Sequence, residues 1–178
     1  MSLRRACALF SATTTLVVAP FAFAEVTAAQ PGGFEVVEHA TISASPDRVW
    51  QALGRVGAWW SPEHNYSGDA RNLSLGLAAG DCLCERWGSS SVLHMTVVQA
   101  EPGKLLRLEG ALGPLGKFGV AGHMTIAIKP APQGTDITLT YDVGGWSKEG
   151  LNQLAMPVDA VLSEQLRRLA RYVTDGHG

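Results

Sequence analysis

The stretch ISASPDRVW, residues 42–50, determines how the chain begins to fold. Ser45 is a favoured helix N-cap, Pro46 fits the first helical turn, and Asp47 places a negative charge where the helix dipole is positive. Apolar residues then follow with helical spacing, namely Val49, Trp50, Leu53 and Val56. The segment therefore predicts a short helix that begins after Ser45 and packs one face against a core.

Segments with strand character lie on both sides of this helix. Before it, residues 34–44 (FEVVEHATISA) are rich in β-branched and apolar side chains. After it, short apolar segments alternate with turn residues over 71–77, 81–87, 92–99, 104–110, 119–129 and 135–143. No insert of helical length separates these later segments, which is typical of an antiparallel meander. We therefore expect a sheet of about seven strands.

The end of the chain has the pattern of a long amphipathic helix. From about Pro157, apolar residues recur with helical period, namely Val158, Val161, Leu162, Leu166, Leu169, Tyr172 and Val173. Glu164 and Arg167 fall on the opposite side. A helix of this kind packs its apolar side on another element, so the chain is predicted to be an α+β domain.

The order of strand, helix, six strands and long helix resembles the helix-grip fold of the START-like superfamily, also called SRPBCC. In that fold a curved antiparallel sheet wraps around a long helix. The chain is most similar to the polyketide cyclase/dehydrase group and to homologues of the heat-shock-protein ATPase activator. The resemblance is carried by ISASPDRVW at 42–50, WWSP at 59–62, the 97–105 strand and turn, and GTDITLT at 134–140. It implies a single START-like domain over 34–175.

The first 24 residues have the features of a cleaved secretory signal. Arg4 and Arg5 give a positive start, Ala6–Ala19 is an uncharged apolar run, and residues 22–24 (AFA) supply the small side chains of a peptidase site. The apolar run has about 14 residues, fewer than the roughly 20 that a membrane span needs. We expect cleavage after residue 24, export most simply to a bacterial periplasm, a short linker over 25–33, and no membrane span after processing.

The composition excludes several classes of partner. The chain has 178 residues, of which 46% are hydrophobic and 17% charged, and its formal net charge is −2. Such a chain is globular and lacks the basic surface that a nucleic acid requires, so we expect no nucleic-acid partner. We also expect no cofactor and no metal, because no phosphate loop, dinucleotide motif or set of ligands with metal spacing is present. The sequence does not indicate a protein partner.

Strand pairing sorts the sheet residues between two faces, because residues opposite each other point the same way. Loops over 88–91 and 100–103 would pair Glu85 with His94 and His94 with Glu109. The other face collects the apolar residues and is assigned to the interior, namely Leu73, Leu75, Cys84, Leu93, Met95, Val97, Leu106, Leu108, Ile126, Ile128, Ile137, Leu139 and Tyr141. A shift of one residue in either loop would exchange the two faces.

The group of Glu85, His94 and Glu109 has two interpretations. A carboxylate beside an imidazole can orient it for acid/base catalysis. On the pairing above, however, the group lies on the convex face, where ion pairs between strands are ordinary surface features. We therefore assign no catalytic residue, and the catalytic interpretation applies only if the group faces inward.

Cys82 and Cys84 are separated by one residue of a predicted strand, so both thiols point to the same face. The simplest interpretation is that they are buried and act as small apolar side chains. A local disulfide is an open alternative in an oxidising compartment, and a soft metal ion would need further ligands. We expect packing residues.

The family resemblance implies a cavity between the sheet and the last helix, with its entrance near the tryptophans. We expect the cavity to hold a small hydrophobic or lipid-like molecule without catalysis, with Tyr141 as its inward polar group. The expected ligand-binding residues are Trp59, Trp60, Met95, Leu106, Leu108, Tyr141, Trp146, Val158 and Leu162. The tryptophans have a purely structural alternative as core residues. The alternative function is a cyclase- or dehydrase-like enzyme that uses His94, Glu85 and Glu109 in the same cavity.

Overall fold

The computed structural model describes residues 23–176 of the chain. It confirms the predicted α+β class: an open, curved antiparallel sheet of eight strands packs against a long C-terminal helix in the described part. The strands are β1 (Phe23–Gln30), β2 (Gly33–Ile42), β3 (Leu73–Leu75), β4 (Cys82–Trp87), β5 (Ser90–Glu101), β6 (Leu105–Glu109), β7 (Gly119–Ala131) and β8 (Gly134–Trp146). The α-helices are α1 (Pro46–Leu53) and α2 (Asn152–Asp175), and four short 3-10 turns lie in the connecting segments. The strand order is β1-β2-β8-β7-β6-β5-β4-β3.

Strand β1 was not expected from the sequence. The segment 25–33, predicted to be a linker, forms most of an edge strand that pairs antiparallel with β2, where Val26 lies opposite Val36. The linker prediction is wrong because pairing of an edge strand relies on backbone hydrogen bonds and tolerates the small, weakly strand-forming residues of this segment. Helix α2 also packs against β1. The predicted signal up to residue 22 lies outside the described residues.

Helix α1 begins where the sequence predicts, but it ends at Leu53, so that Val56 of the predicted stripe lies beyond it in a 3-10 turn. The hydroxyl oxygen of Ser45 accepts a hydrogen bond from the backbone N–H of Arg48 at 3.4 Å, and Pro46 is the first helical residue. The predicted apolar stripe is buried, with Val49 and Leu53 almost completely shielded from solvent. The local signals of the sequence therefore suffice for this helix.

Helix α2 begins earlier than predicted, at Asn152 instead of Pro157. The sequence suggested Pro157 as a start because proline favours the first turn, but here it lies inside the helix, where it lacks one backbone donor. The fully buried Leu151 precedes the helix and holds its beginning against the core. No helix within residues 23–176 is long and apolar enough to cross a membrane.

A bulge in β5 determines which residues face inward. The β4–β5 turn has two residues, 88 and 89, instead of the predicted four. A difference of two residues does not change which face of the sheet each side chain points to. The bulge at His94 then places Cys84 opposite Leu93 and Leu83 opposite Met95. Because one extra residue inverts the alternation of side chains, Leu93 and Met95 point to opposite faces. Leu93 is accordingly 64% exposed, while Met95 is buried.

An acidic side chain interrupts the apolar inner face of β2. Glu38 is fully buried, and neither carboxylate oxygen has a hydrogen-bond partner of normal geometry among residues 23–176. Burial, followed by the negative charge of Asp159 on α2, raises the pKa of Glu38 from 4.5 to about 8, against the opposite influence of Ser163 and Arg167. Glu38 is therefore mainly protonated at neutral pH, because the uncharged carboxyl is less unfavourable to bury.

We expect Glu38→Gln to remove much of the pH dependence of stability. Between about pH 4.5 and about pH 8, folded Glu38 keeps a proton that the unfolded chain releases, so the free energy of unfolding falls as the pH rises through this range. The pKa shift corresponds to a loss of roughly 5 kcal/mol at most. Glutamine does not ionise, so urea midpoints of the variant should change much less between about pH 5 and about pH 9 than those of the wild type.

The matched control is Glu101→Gln, which alters an exposed carboxylate on the same sheet. This variant should keep the wild-type pH dependence. Identical pH profiles for wild type and Glu38→Gln would show that the buried carboxyl does not govern stability.

Candidate functional site

A cavity of about 360 Å³ lies between the sheet, α2 and two connecting segments. Its size falls within the roughly 300–1,000 Å³ of small-molecule pockets. Helix α2 contributes the apolar residues Leu154, Pro157, Val158, Val161 and Leu162. The loop between β6 and β7 contributes Leu112, Pro114, Leu115 and Phe118. The walls are therefore mainly apolar and come from elements distant in the sequence.

Tyr141 ties the β6–β7 loop to the sheet. Its hydroxyl donates to the carbonyl oxygen of Gly110 at 3.1 Å and accepts from the backbone N–H of Leu112 at 3.0 Å. Burial raises the pKa of Tyr141 to about 12, so the hydroxyl keeps its proton. Gly122 makes this contact possible, because a Cβ there would lie only 2.6 Å from the hydroxyl oxygen.

His94 reaches the cavity wall from the bulge in β5. Its Nε2 lies 3.2 Å from the carboxylate of Glu85, and its Nδ1 lies 3.3 Å from the backbone nitrogen of Gly113. Because a backbone N–H can only donate, the partners assign an acceptor role to Nδ1 and the proton to Nε2. The ring of Tyr66 stacks on the imidazole, with centroids 5.9 Å apart. Both nitrogens of His94 are thus engaged within the protein.

Glu85 joins this histidine to the segment after α1. The side chain is completely buried and accepts hydrogen bonds from the backbone N–H groups of Tyr66 at 3.1 Å and Ser67 at 2.6 Å. Burial alone raises the pKa of Glu85, but the hydrogen bonds from Ser67, Tyr66 and His94 outweigh it and lower the pKa below 4.5. An ionised Glu85 therefore holds both the segment and the imidazole in place.

The predicted Glu85–His94 pair exists, but it faces the interior and not the convex side of the sheet. The bulge at His94 is the reason. It shifts β5 by one residue against β4, so that Leu83 lies opposite the inward Met95. Glu85 is two residues farther along β4 and therefore faces inward as well. Glu109 does not join the pair. It is exposed on the outer face, opposite Thr96 and His123.

Cys82 and Cys84 form a disulfide, with their Cα atoms 5.4 Å apart. The prediction that they are free packing thiols is wrong. The two side chains lie on one face of β4, close enough to bond, on the side where Cys84 is opposite the exposed Leu93. A disulfide also engages both sulfur atoms and leaves no thiolate for a metal ion.

The expected ligand-binding residues fall into three groups. Those that line the main cavity are Trp60, Tyr141, Val158 and Leu162. Trp59 and Leu108 line a smaller hollow of about 40 Å³ behind it, whose wall also includes Trp60 and Leu162. Neither space includes Met95, Leu106 and Trp146 among its lining residues.

Met95, Leu106 and Trp146 lie outside both spaces for two different reasons. Met95 and Leu106 point inward as predicted, but they are completely buried in the packed core of the sheet. Trp146 is 70% exposed, because β8 ends there and the chain leaves the sheet before α2 begins.

The sequence did not predict the polar part of the cavity wall that follows α1. His64 and Asn65 line it, and His64 Nε2 lies 3.0 Å from the carboxylate of Glu164 on α2. These residues lie in an irregular segment without periodicity, so nothing in the pattern placed them. A usable signal was present in the β6–β7 loop, where Leu112, Leu115 and Phe118 stand among glycines in a segment that would otherwise be expected to be polar.

A curved antiparallel sheet that grips a long helix over an apolar cavity defines the helix-grip class. Residues 33–174 match the sequence model of the family described as polyketide cyclase / dehydrase and lipid transport. The chain belongs to this family, within the SRPBCC superfamily, as the motifs of the sequence suggested.

Solved structures of low sequence identity share the fold. An uncharacterized protein from Rhizobium leguminosarum is 16% identical with a TM-score of 0.58, and the match covers 86% of this chain and 97% of that one. CalU16 from Micromonospora echinospora is 14% identical with a TM-score of 0.57, covering 89% and 88%. The Aha1 dimer from Colwellia psychrerythraea is 17% identical with a TM-score of 0.58, covering 81% and 98%. A comparison with curated protein sequences found no match.

Proposed function

We propose that the protein binds a small hydrophobic or lipid-like molecule in the cavity between the sheet and α2. The observation that carries the proposal is a space of about 360 Å³ with mainly apolar walls. Protein interiors are normally packed as densely as organic crystals, so unfilled apolar volume of this size is typical of a binding site. The family description, which includes lipid transport, agrees with this function.

The hydrogen bonds of His94 and Tyr141, two polar residues of the wall, favour binding over catalysis. Both nitrogens of His94 and the hydroxyl of Tyr141 are engaged in hydrogen bonds within the protein. A general base needs a free lone pair within reach of the proton that it removes. These two side chains therefore shape the cavity and hold its loop, and an apolar ligand would gain affinity mainly by leaving water.

Filling the cavity should weaken binding. Val158 lies on the wall, so we expect Val158→Trp to weaken binding of the apolar fluorescent probe N-phenyl-1-naphthylamine at least about 10-fold, from a micromolar wild-type affinity of about −8 kcal/mol. Fluorescence titration of protein freed of bound lipid measures this. The control Met156→Trp changes a 66% exposed residue of the same helix and should bind normally. A folded wild type that does not bind the probe would refute the proposal.

The second candidate is a cyclase- or dehydrase-like enzyme. The observation in its favour is the inward position of the Glu85–His94 pair, because a carboxylate beside an imidazole at a cavity wall is suited to proton transfer. For His94 Nδ1 to accept a proton from a substrate, the backbone N–H of Gly113 would first have to move away. An enzymatic function therefore requires the β6–β7 loop to open, whereas the binding function does not require this movement.

Proton exchange distinguishes the two candidates. Because His94 has no free nitrogen, we expect the wild type not to accelerate the exchange of methyl protons of bound 1-acetylnaphthalene with D₂O, as followed by NMR. Acceleration that His94→Ala abolishes and His123→Ala keeps would establish the enzyme. His123 is the matched control because it lies exposed on the outer face. Under the binding function, both variants should retain the probe.

We further propose that the protein is exported and processed after residue 24. The charged start, the short apolar run and the small residues at 22–24 support this, as does a disulfide, since disulfides persist in oxidising compartments. N-terminal sequencing of protein from the periplasm of its bacterial host should therefore begin at Glu25. A chain that retains Met1, or that remains in the cytoplasm, would contradict export.

A further inference from the structure

A polar stripe on α2 lies beside the cavity wall without belonging to it. Asp159, Ser163 and Arg167 are spaced four residues apart, so they follow one face of the helix. The helix packs against β2, where the buried Glu38 lies close enough to feel the charges of this stripe. Neither Glu38 nor Asp159 lines the cavity. The apolar walls of the cavity therefore do not explain why these polar residues are present.

The two carboxyl groups in this interface lack partners that would stabilise their charges. Both oxygens of Glu38 and Oδ1 of Asp159 are shielded from solvent and have no hydrogen-bond partner among residues 23–176. Arg167 Nη1 donates to Ser163 Oγ at 2.7 Å, and within the described part of the chain no ion pair joins it to either carboxyl group. Two ionised carboxylates are unfavourable here, because each loses its water and the two repel each other.

The strands on either side of β2 do not bring a compensating charge to Glu38 in their described parts. On β8, Leu139 lies opposite Glu38, and the only titratable side chain that the described strand turns inward is Tyr141, which keeps its proton. On β1, Glu25 lies opposite Val37 and therefore belongs to the outer face. The charges that act on Glu38 thus come from α2.

The protonation of Glu38 affects how closely α2 can pack on β2. Burial, followed by the charge of Asp159, raises the pKa of Glu38 to about 8, and the opposing effects of Ser163 and Arg167 are smaller. Movement of α2 away from β2 would admit water to the carboxyl group and return its pKa towards 4.5. Between these two values, each rise of one pH unit favours the displaced helix by about 10-fold.

Helix α2 also carries part of the cavity wall. Val158 and Leu162 line the cavity, and each is next in sequence to a residue of the polar stripe. Because the helix is continuous from Asn152 to Asp175, a displacement of Asp159 from β2 also moves these two wall residues. A wall that moves outward loses its contacts with a bound molecule.

We propose that Glu38 and Asp159 form a pH switch for ligand release: protonated Glu38 keeps α2 on β2 and the cavity closed, whereas ionised Glu38 displaces the helix and frees the ligand. This inference rests on the proposed binding function and adds its regulation. The coupling is reciprocal, so a ligand that draws α2 onto β2 also favours the uptake of a proton by Glu38. The ligand is therefore retained at acidic pH and released at alkaline pH.

The pH dependence of probe binding tests this switch. We expect the wild type to bind N-phenyl-1-naphthylamine at least about 10-fold more weakly at about pH 9 than at about pH 6, and Glu38→Gln to bind it equally at both. The probe is a neutral diarylamine that does not ionise in this range. Calorimetry in two buffers of different ionisation enthalpy should show proton uptake on binding by the wild type at about pH 8 and none by Glu38→Gln. Far-UV circular dichroism verifies that each protein is folded at each pH.

Glu101→Gln is the matched control, because it makes the same chemical change at an exposed carboxylate of the sheet. It should keep the wild-type pH dependence of binding. If Glu38→Gln does not fold, Asp159→Asn replaces it, since removal of the like charge should reduce the loss of affinity at about pH 9. Equal affinity of the folded wild type at both pH values, or a loss of affinity that the folded variant retains in full, overturns the switch and leaves the binding function intact. Failure of the wild type to bind the probe at about pH 6 refutes the binding function itself.

Discussion

The buried carboxylate of Glu85 holds together the parts of the molecule that form the cavity. It accepts hydrogen bonds from the segment after α1, through Tyr66 and Ser67, and from His94 in the neighbouring strand. His94 in turn accepts from Gly113 in the loop between β6 and β7. These donors stabilise the negative charge of Glu85, which would otherwise be strongly unfavourable in an apolar interior. The charge in turn fixes the donors in position. Removing the carboxylate would leave several buried donors without a partner.

The other walls are fixed by comparable contacts from α2 and β8. Gln165 accepts from the backbone N–H of Ser61, and Arg168 Nε donates to the carbonyl oxygen of Trp59 at 2.6 Å. The helix therefore holds the segment at 59–61 by both a backbone donor and a backbone acceptor. Tyr141 holds the beginning of the β6–β7 loop in the same manner, by a backbone acceptor at Gly110 and a backbone donor at Leu112. Polar side chains thus fix the boundary of the cavity, and apolar side chains provide its surface. Because the walls are held by hydrogen bonds, an open volume persists within an otherwise densely packed protein.

Most of the fold could be predicted from the sequence, because local rules are sufficient for its elements. Ser45 and Pro46 mark the start of α1, and the alternation of β8 correctly turns Ile137, Leu139 and Tyr141 inward. Strand β1 could not be predicted, because its residues have little strand preference of their own and pair where β2 offers a free edge.

The candidate site was only partly predictable, for a more specific reason. The predicted pairing of Glu85 with His94 is wrong, because Glu85 lies opposite Val92 and the two side chains meet only through the bulge at His94. No local signal marks the bulge, which depends on how β4 and β5 are packed. The single extra residue decides whether this pair faces water or the cavity. Residues on regular elements, such as Val158 and Leu162, were placed at the cavity from periodicity, whereas Asn65 lies in an irregular segment to which no periodicity applies.

Within residues 23–176 the sheet has two free edges, and each is poorly suited to pairing with a second molecule. At one edge, β3 has only three residues, so it offers few backbone groups to an incoming strand. At the other, the register of β1 against β2 shifts between Val26 and Ala28, which interrupts the regular spacing of its outward donors and acceptors. Short or irregular edges of this kind hinder the growth of a sheet from one molecule into the next. The sheet is open and does not close into a barrel, but its edges in this way hinder edge-to-edge association between molecules at high concentration.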